Sequence, residues 1–131
     1  MKIPVLSLDK PNKNGRIYPR DVIEKALQKY RDEYVSKSRA MVTRNIPTQN
    51  DIDLGDVVGI VKDIITTDEE VLAEVQFLNL PKAQGLEEAL TSGKLYMRTS
   101  GIGKMTKQAD GTFKIDDGYE FISCFLTNDP A

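Results

Sequence analysis

The chain has 131 residues, of which 40% are hydrophobic and 29% are charged, and its formal net charge is −2. This length predicts one globular domain, residues 1–131, built around one core. Because general nucleic-acid binding needs a basic surface, the slightly acidic balance predicts no nucleic-acid partner. No apolar run approaches the roughly 20 residues that cross a bilayer, and the N-terminus lacks a signal-peptide pattern, so we expect no membrane partner and a protein made in the cytosol.

The charge is distributed unevenly along the chain. Residues 1–44 carry 11 Lys and Arg against 5 Asp and Glu, whereas residues 45–131 carry 7 against 15. Such polarity could orient contacts between neighbouring subunits, but scattered solvated charge is the favoured interpretation.

The first half of the chain predicts a strand, a turn, a helix and a second strand. Residues 2–8 alternate as a short strand, and Pro4 places it at a sheet edge. Asn14 and Gly15 are typical of a turn. Pro19 is suited to a first helical position. The apolar residues that follow at helical spacing are Val22, Ile23, Ala26, Leu27, Tyr30 and, less regularly, Tyr34. Residues 39–45 then predict a strand before a polar loop.

The second half predicts a hairpin, a short helix and three strands. Residues 55–66 and 71–80 are β-branched and apolar, and the acidic turn between them favours antiparallel pairing. Pro81 begins a helical stretch that should end at Gly93. Residues 95–105, 112–115 and 119–126 read as strands joined by glycine-containing turns.

Six or seven short strands with two helices predict an α+β fold. We expect a small antiparallel β-barrel with the two helices packed outside it. An open α+β sandwich is the alternative.

Four segments of the chain resemble, in order, the prohead maturation proteases of tailed bacteriophages. The most specific is residues 12–22, with an Asn-Gly-Arg turn and a Tyr-Pro pair before a helix; the others are residues 42–47, 95–103 and 121–131. This family shares its fold with the herpesvirus assemblin proteases, so the resemblance implies the same small barrel. The family residues that the chain retains are Asn14, Gly15, Arg16, Tyr18, Pro19, Gly101 and Gly103.

The residues that the resemblance implies for catalysis are replaced. Ile46 stands where the family has its catalytic histidine before proline. On the glycine register, Arg98 and Thr99 stand at the two serines of the family's Ser-Ser-Arg-Gly-x-Gly pattern, and Ser100 stands at its arginine. The chain has no histidine. Since a serine hydroxyl needs a base within hydrogen-bond reach, we predict no catalytic residues and a protein that is not an enzyme.

Three other sites for chemistry are weaker alternatives. Ser100 could pair with Lys104 or Lys94, but such a lysine must be desolvated to act as a base. Cys124, the only cysteine, excludes a disulfide and lies in an apolar run typical of inert buried thiols. The acidic residues Asp51, Asp53 and Asp56 do not match a calcium-loop spacing. We therefore expect no metal and no cofactor.

The leading functional hypothesis is a non-catalytic virion structural protein, such as a capsid decoration, cement or head-vertex component. Its partners would be phage capsid or other head proteins, in the host cytoplasm during assembly and then in the virion, and a homo-oligomer is plausible. One alternative is an active or residual serine-type prohead maturation protease, and another is a phage protein that inhibits a host factor. The residues predicted for an interface are Lys10, Lys13, Arg20, Gln49 and Asp51.

Overall fold

The protein is described from a computed structural model, which covers residues 1–47 and 52–129. Its strands are β1 (Lys2–Ser7), β2 (Arg16–Ile17), β3 (Met41–Thr43), β4 (Val57–Thr66), β5 (Glu70–Phe77), β6 (Tyr96–Ile102), β7 (Met105–Lys107), β8 (Phe113–Ile115) and β9 (Glu120–Thr127). Its α-helices are α1 (Arg20–Glu33) and α2 (Leu86–Thr91). Within the described residues, no helix is long and apolar enough to span a membrane.

The main sheet has six strands in the order β1-β5-β4-β3-β9-β6. Its two edge strands, β1 and β6, approach each other, so the sheet closes almost into a barrel. Neighbouring strands run antiparallel except β3 and β9, which are parallel. A second sheet, β2-β8-β7, extends from one side. The predicted α+β class, with a small six-stranded barrel and two helices, is confirmed.

Helix α1 forms where the apolar spacing predicts it. Pro19 lies just before its first residue, in extended backbone, rather than inside the first turn. The predicted stripe from Val22 to Tyr30 is buried and packs into the core. Two arginines, one near each end of α1, also contact the β4–β5 hairpin. Arg20 donates to Thr67 O and Asp68 O, both at 2.6 Å. Arg31 donates twice to Ile64 O, at 2.6 and 2.9 Å. The helix is therefore held against the sheet by packing and by charged hydrogen bonds.

Two elements differ from the prediction because glycines interrupt them. The helical stretch after Pro81 divides into a single 3-10 turn (Pro81–Ala83) and α2, since Gly85 between them has φ +77°, outside the helical range. The predicted strand 95–105 divides into β6 and β7, which belong to different sheets. The two-residue strand β2, which pairs parallel with β8, was not predicted.

The two faces of the main sheet have different surroundings. The inner face carries the core, which includes Val42, Val61, Cys124 and Leu126, and α1 packs against it. The outer face, as the name is used below, is the opposite face of β3, β9 and β6. Its residues in these strands include Thr43, Arg98, Ser100, Ser123 and Phe125.

Candidate functional site

The outer face brings Arg98 and Ser100 together on β6. Both lie on this face because they are two residues apart in one strand, where side chains alternate. Ser100 is directly opposite Ser123 of β9, and Arg98 is directly opposite Phe125. The Arg98 guanidinium carbon lies 6.0 Å from the centroid of the Phe125 ring, at the limit of a cation–π contact.

At positions 98 and 100, the arginine and the serine stand in the reverse order of the residue types that the family pattern predicts. The resemblance predicts a serine and, two residues later, an arginine for the prohead proteases at these positions, whereas this chain has an arginine and then a serine. Both residue types are thus present on one face of one strand. The chain therefore keeps a hydroxyl and a guanidinium there, although it exchanges their positions.

Thr99, the other residue aligned with a family serine, lies on the inner face. It is paired with Cys124, and its hydroxyl lies beside that of Tyr119. Burial raises the pKa of the Tyr119 hydroxyl, with a smaller rise from Tyr18, while Thr99 and Arg16 oppose the rise. Thr99 therefore belongs to a buried aromatic contact rather than to the outer face.

The turn after β3 positions Ile46, the residue that the resemblance predicts to stand at the family's histidine. The buried Thr43 hydroxyl donates to Asn45 O at 2.7 Å. Asn45 in turn donates to the Asp56 carboxylate through its backbone N, at 2.9 Å, and through Nδ2, at 3.1 Å. These bonds hold the two ends of the loop together and leave Ile46 61% exposed, beside the outer face but without a group that could move a proton.

The retained family residues have structural roles that account for their types. The Asn12 side chain accepts from Asn14 N and Arg16 N at 2.9 and 3.0 Å, and Gly15 has φ +75° in this turn. The Tyr18 ring packs edge-on against Tyr119, with centroids 5.9 Å apart. A Cβ added at Gly101 would overlap the Tyr119 hydroxyl, and one at Gly103 would lie 2.8 Å from its ring. The signature segment, Gly101 of β6 and Gly103 after it thus meet at one aromatic side chain.

None of the residues predicted for an interface belongs to β3, β6 or β9, and two of them lie outside the described residues. Lys10 is exposed, 4.0 Å from Glu69, and Lys13 forms an ion pair with Asp129. Arg20 is engaged within the chain by the β4–β5 turn. Gln49 and Asp51 lie outside the described residues. The interface therefore stays a prediction.

The other groups singled out in the sequence have local structural roles. Cys124 is buried in the core, and burial raises the pKa of its thiol to about 12. Asp53 accepts from Gly55 N at 2.9 Å, and Asp56 holds Asn45. Asp51 lies outside the described residues, so the acidic group proposed as an alternative cation site is not seen whole.

Ser123 is the outer-face residue that sequence reasoning missed. It is 1% exposed, and its Oγ has no hydrogen-bond partner among the described residues. A polar residue in an otherwise apolar strand is the signal that could have indicated it, because buried polar groups that lack a partner are rare.

Both the sequence and the fold of this chain are similar to known proteins. The sequence model that describes prohead core protein serine proteases matches residues 5–125. No curated protein matches the sequence. Among solved structures, the capsid assembly protease of bacteriophage T4 has a similar fold, with a TM-score of 0.83 at 20% sequence identity. The match covers 95% of this chain and 79% of the T4 protein.

The prediction that the chain is not an enzyme is wrong, because the family that matches it is one of serine proteases. The absence of histidine does not exclude hydrolysis, since other hydrolases activate a serine with a lysine amine. The family match likewise favours the maturation-protease alternative over a capsid decoration, cement or head-vertex protein. The resemblance to the prohead maturation proteases is confirmed: this chain belongs to the prohead core protein serine protease family.

Proposed function

We propose that this chain is a capsid assembly protease that cleaves proteins of the phage prohead, with Ser100 as its nucleophile. The observation that carries the proposal is the presence of Ser100 and Arg98 side by side on the outer face. Ser100 is partly exposed there, so a polypeptide laid on this face can reach its hydroxyl. The partners are then capsid or scaffold proteins, and the place of action is the prohead.

The chemistry follows the general scheme of serine hydrolysis. The Ser100 Oγ attacks the scissile carbonyl carbon while its proton passes to a base, and the carbonyl electron pair moves onto the oxygen. The base returns the proton to the leaving amine as the C–N bond breaks, and water then hydrolyses the acyl-enzyme. The Arg98 guanidinium is placed to stabilise the negative oxygen of the tetrahedral intermediate.

The base in this chain has to be a group other than imidazole. The lysines nearest to Ser100 in sequence are Lys94, before β6, and Lys104, after it. Both are exposed. One of them serves as the base once a polypeptide bound across the outer face has excluded water from its amine.

Incubation of the purified chain with prohead capsid and scaffold proteins tests the proposal. We expect fragments with defined ends, identified by mass spectrometry, from the wild type and none from Ser100→Ala. Ser92→Ala, an exposed serine beside α2, is the matched control and should cleave normally. If Thr99→Ala abolishes cleavage while Ser100→Ala does not, the assignment of the nucleophile is wrong; if the folded wild type cleaves none of these proteins, the proposed function is wrong.

The pH profile of cleavage tests the base. With a lysine base, the rate should rise through the alkaline range and show no inflection near 6.5, where a histidine would titrate. One of the two variants Lys94→Ala and Lys104→Ala should reduce kcat by about 100-fold or more. An inflection near 6.5, or full activity in both variants, would rule out the lysine mechanism.

A further inference from the structure

The Ser123 hydroxyl is buried without a hydrogen-bond partner among the described residues, which is rare for a polar group. Its Oγ is out of contact with solvent and has no hydrogen-bond partner among residues 1–47 and 52–129. The two residues that follow it in β9, Cys124 and Phe125, are apolar and buried. Because a hydroxyl in such surroundings destabilises the fold, packing does not explain a serine here, where an alanine would fit.

A bulge in β9 directs this hydroxyl at Ser100. The β6–β9 register shifts between Ser100 and Gly101, so Ile122 is an extra residue between the pairs Ser100–Ser123 and Gly101–Phe121. Phe121 belongs to the core and therefore faces inward. Strict alternation would place Ser123 on the inner face with Phe121, but the extra residue turns it to the outer face, directly opposite Ser100.

Directly opposite residues of an antiparallel pair have Cβ atoms about 4.5–5.5 Å apart. A rotation about χ1 of either serine brings two hydroxyls at this separation within hydrogen-bond distance. The strand register therefore places the Ser100 hydroxyl opposite the Ser123 hydroxyl, which has no partner among the described residues.

We propose that Ser123 is a positioning residue, whose hydroxyl donates a hydrogen bond to the Oγ of Ser100 and stabilises that oxygen as its proton leaves. This inference rests on the proposed function of Ser100 as the nucleophile. A bond to a charged acceptor is stronger than one between neutral groups, so the contact acts most when Ser100 is deprotonated. The buried site favours the bond further, because water does not compete for the donor.

A thiol placed at position 100 tests the contact without any need for proteolysis. In Ser100→Cys, the pH dependence of alkylation by iodoacetamide reports the pKa of the introduced thiol. The native Cys124 does not interfere, because it is buried and its pKa is raised to about 12. We expect the double variant Ser100→Cys, Ser123→Ala to react with a midpoint about one pH unit higher, since the thiolate loses its donor.

Two controls separate this effect from a change of fold. The double variant Ser100→Cys, Ser92→Ala should keep the midpoint of the single variant. Ser123→Ala alone should unfold at the same or a higher urea concentration than the wild type, because the Ser123 hydroxyl has no partner in the resting structure and its bond to Ser100 acts mainly when Ser100 loses its proton. Equal midpoints with and without the Ser123 hydroxyl would overturn the proposal.

Cleavage measured with Ser123→Ala then links the contact to the reaction. We expect kcat to fall about tenfold with KM unchanged, the signature of a contact made in the transition state. A wild type that cleaves no prohead protein, together with a shifted thiol midpoint, would refute the proposed function but not the Ser123 contact. Unchanged kcat in Ser123→Ala would refute the positioning role.

Discussion

Tyr30, like Ser123, has a buried hydroxyl that lacks a hydrogen-bond partner among the described residues. Its ring packs against Tyr34 and Phe121, and burial raises the pKa of its hydroxyl far above the usual value. Tyr30→Phe keeps the ring and removes the unsatisfied oxygen. We therefore expect its free energy of unfolding, measured in urea, to equal that of the wild type or exceed it by up to about 1 kcal/mol.

Tyr119→Phe is the matched control for Tyr30→Phe, because the Tyr119 hydroxyl lies beside that of Thr99. Its loss should lower the free energy of unfolding by about 0.5–1.5 kcal/mol. A similar loss in Tyr30→Phe would mean that its hydroxyl has a partner after all.

Gly101 permits the close approach of Tyr119 to β6. A Cβ at this position would overlap the Tyr119 hydroxyl and lie 2.7 Å from the backbone oxygen of Glu120. The backbone oxygen cannot move aside, so Gly101→Ala should lower the free energy of unfolding by about 1–3 kcal/mol. Gly55→Ala is the control, since its Cβ would lie 3.3 Å from one carboxylate oxygen of Asp53. Equal urea midpoints for the two variants would contradict this prediction.

At the scale of elements, α1 is joined to the β4–β5 hairpin by guanidinium groups that bond to backbone carbonyls. Arg31 makes two such bonds to Ile64 O. Arg31→Met keeps the length of the side chain but removes both donors. We expect it to lower the free energy of unfolding by about 1.5–3 kcal/mol, the range for hydrogen bonds that involve a charged group.

Lys25→Met controls for the loss of a positive charge from α1. Lys25 and Asp117 lie 3.3 Å apart and are both exposed, so their ion pair should contribute at most about 1 kcal/mol. If Arg31→Met were no more destabilising than Lys25→Met in the same urea experiment, the carbonyl bonds would not hold the helix.

The predictability of the elements followed from how local their signals are. Helix α1 and the β4–β5 hairpin were predicted because their periodicity and turns lie within a few consecutive residues. The division of residues 95–105 into β6 and β7 was not, because Gly101 and Gly103 accommodate Tyr119, which comes from a later part of the chain. The prediction of activity was wrong because it was made from the absence of histidine. That absence excludes one kind of base but says nothing about the hydroxyl and the guanidinium present on β6.

At the scale of the whole molecule, Lys13 and Asp129 link the N-terminal turn to the segment after β9. The hydrogen bond and charge of Lys13 hold the pKa of Asp129 below its usual value, with a smaller contribution from Arg98. A carboxylate with a lowered pKa stabilises the folded state above its unfolded pKa of roughly 3.9, and this contribution is lost as the pH falls through the folded pKa.

The decrease in the free energy of unfolding at acid pH should therefore be smaller in Asp129→Asn than in the wild type. We expect the variant to be less stable than the wild type near pH 6 and the difference to shrink as the pH falls below about 3.9 and through the folded pKa of Asp129, in urea titrations at each pH. Because both groups are exposed, the difference should also shrink in high salt. A difference that does not shrink as the pH falls would show that the asparagine disturbs the fold by another route.

The sequence by itself determined the family, the α+β class, the main helix and the hairpin, because these depend on composition, local periodicity and a contiguous signature. The tertiary structure alone decided which side chains share a face. Arg98 and Ser100 lie outside and Thr99 inside because β6 is paired with β9 in one register. Ser123 joins them because the extra residue Ile122 reverses the alternation, and a reversal that depends on pairing between distant strands leaves no local pattern in the sequence.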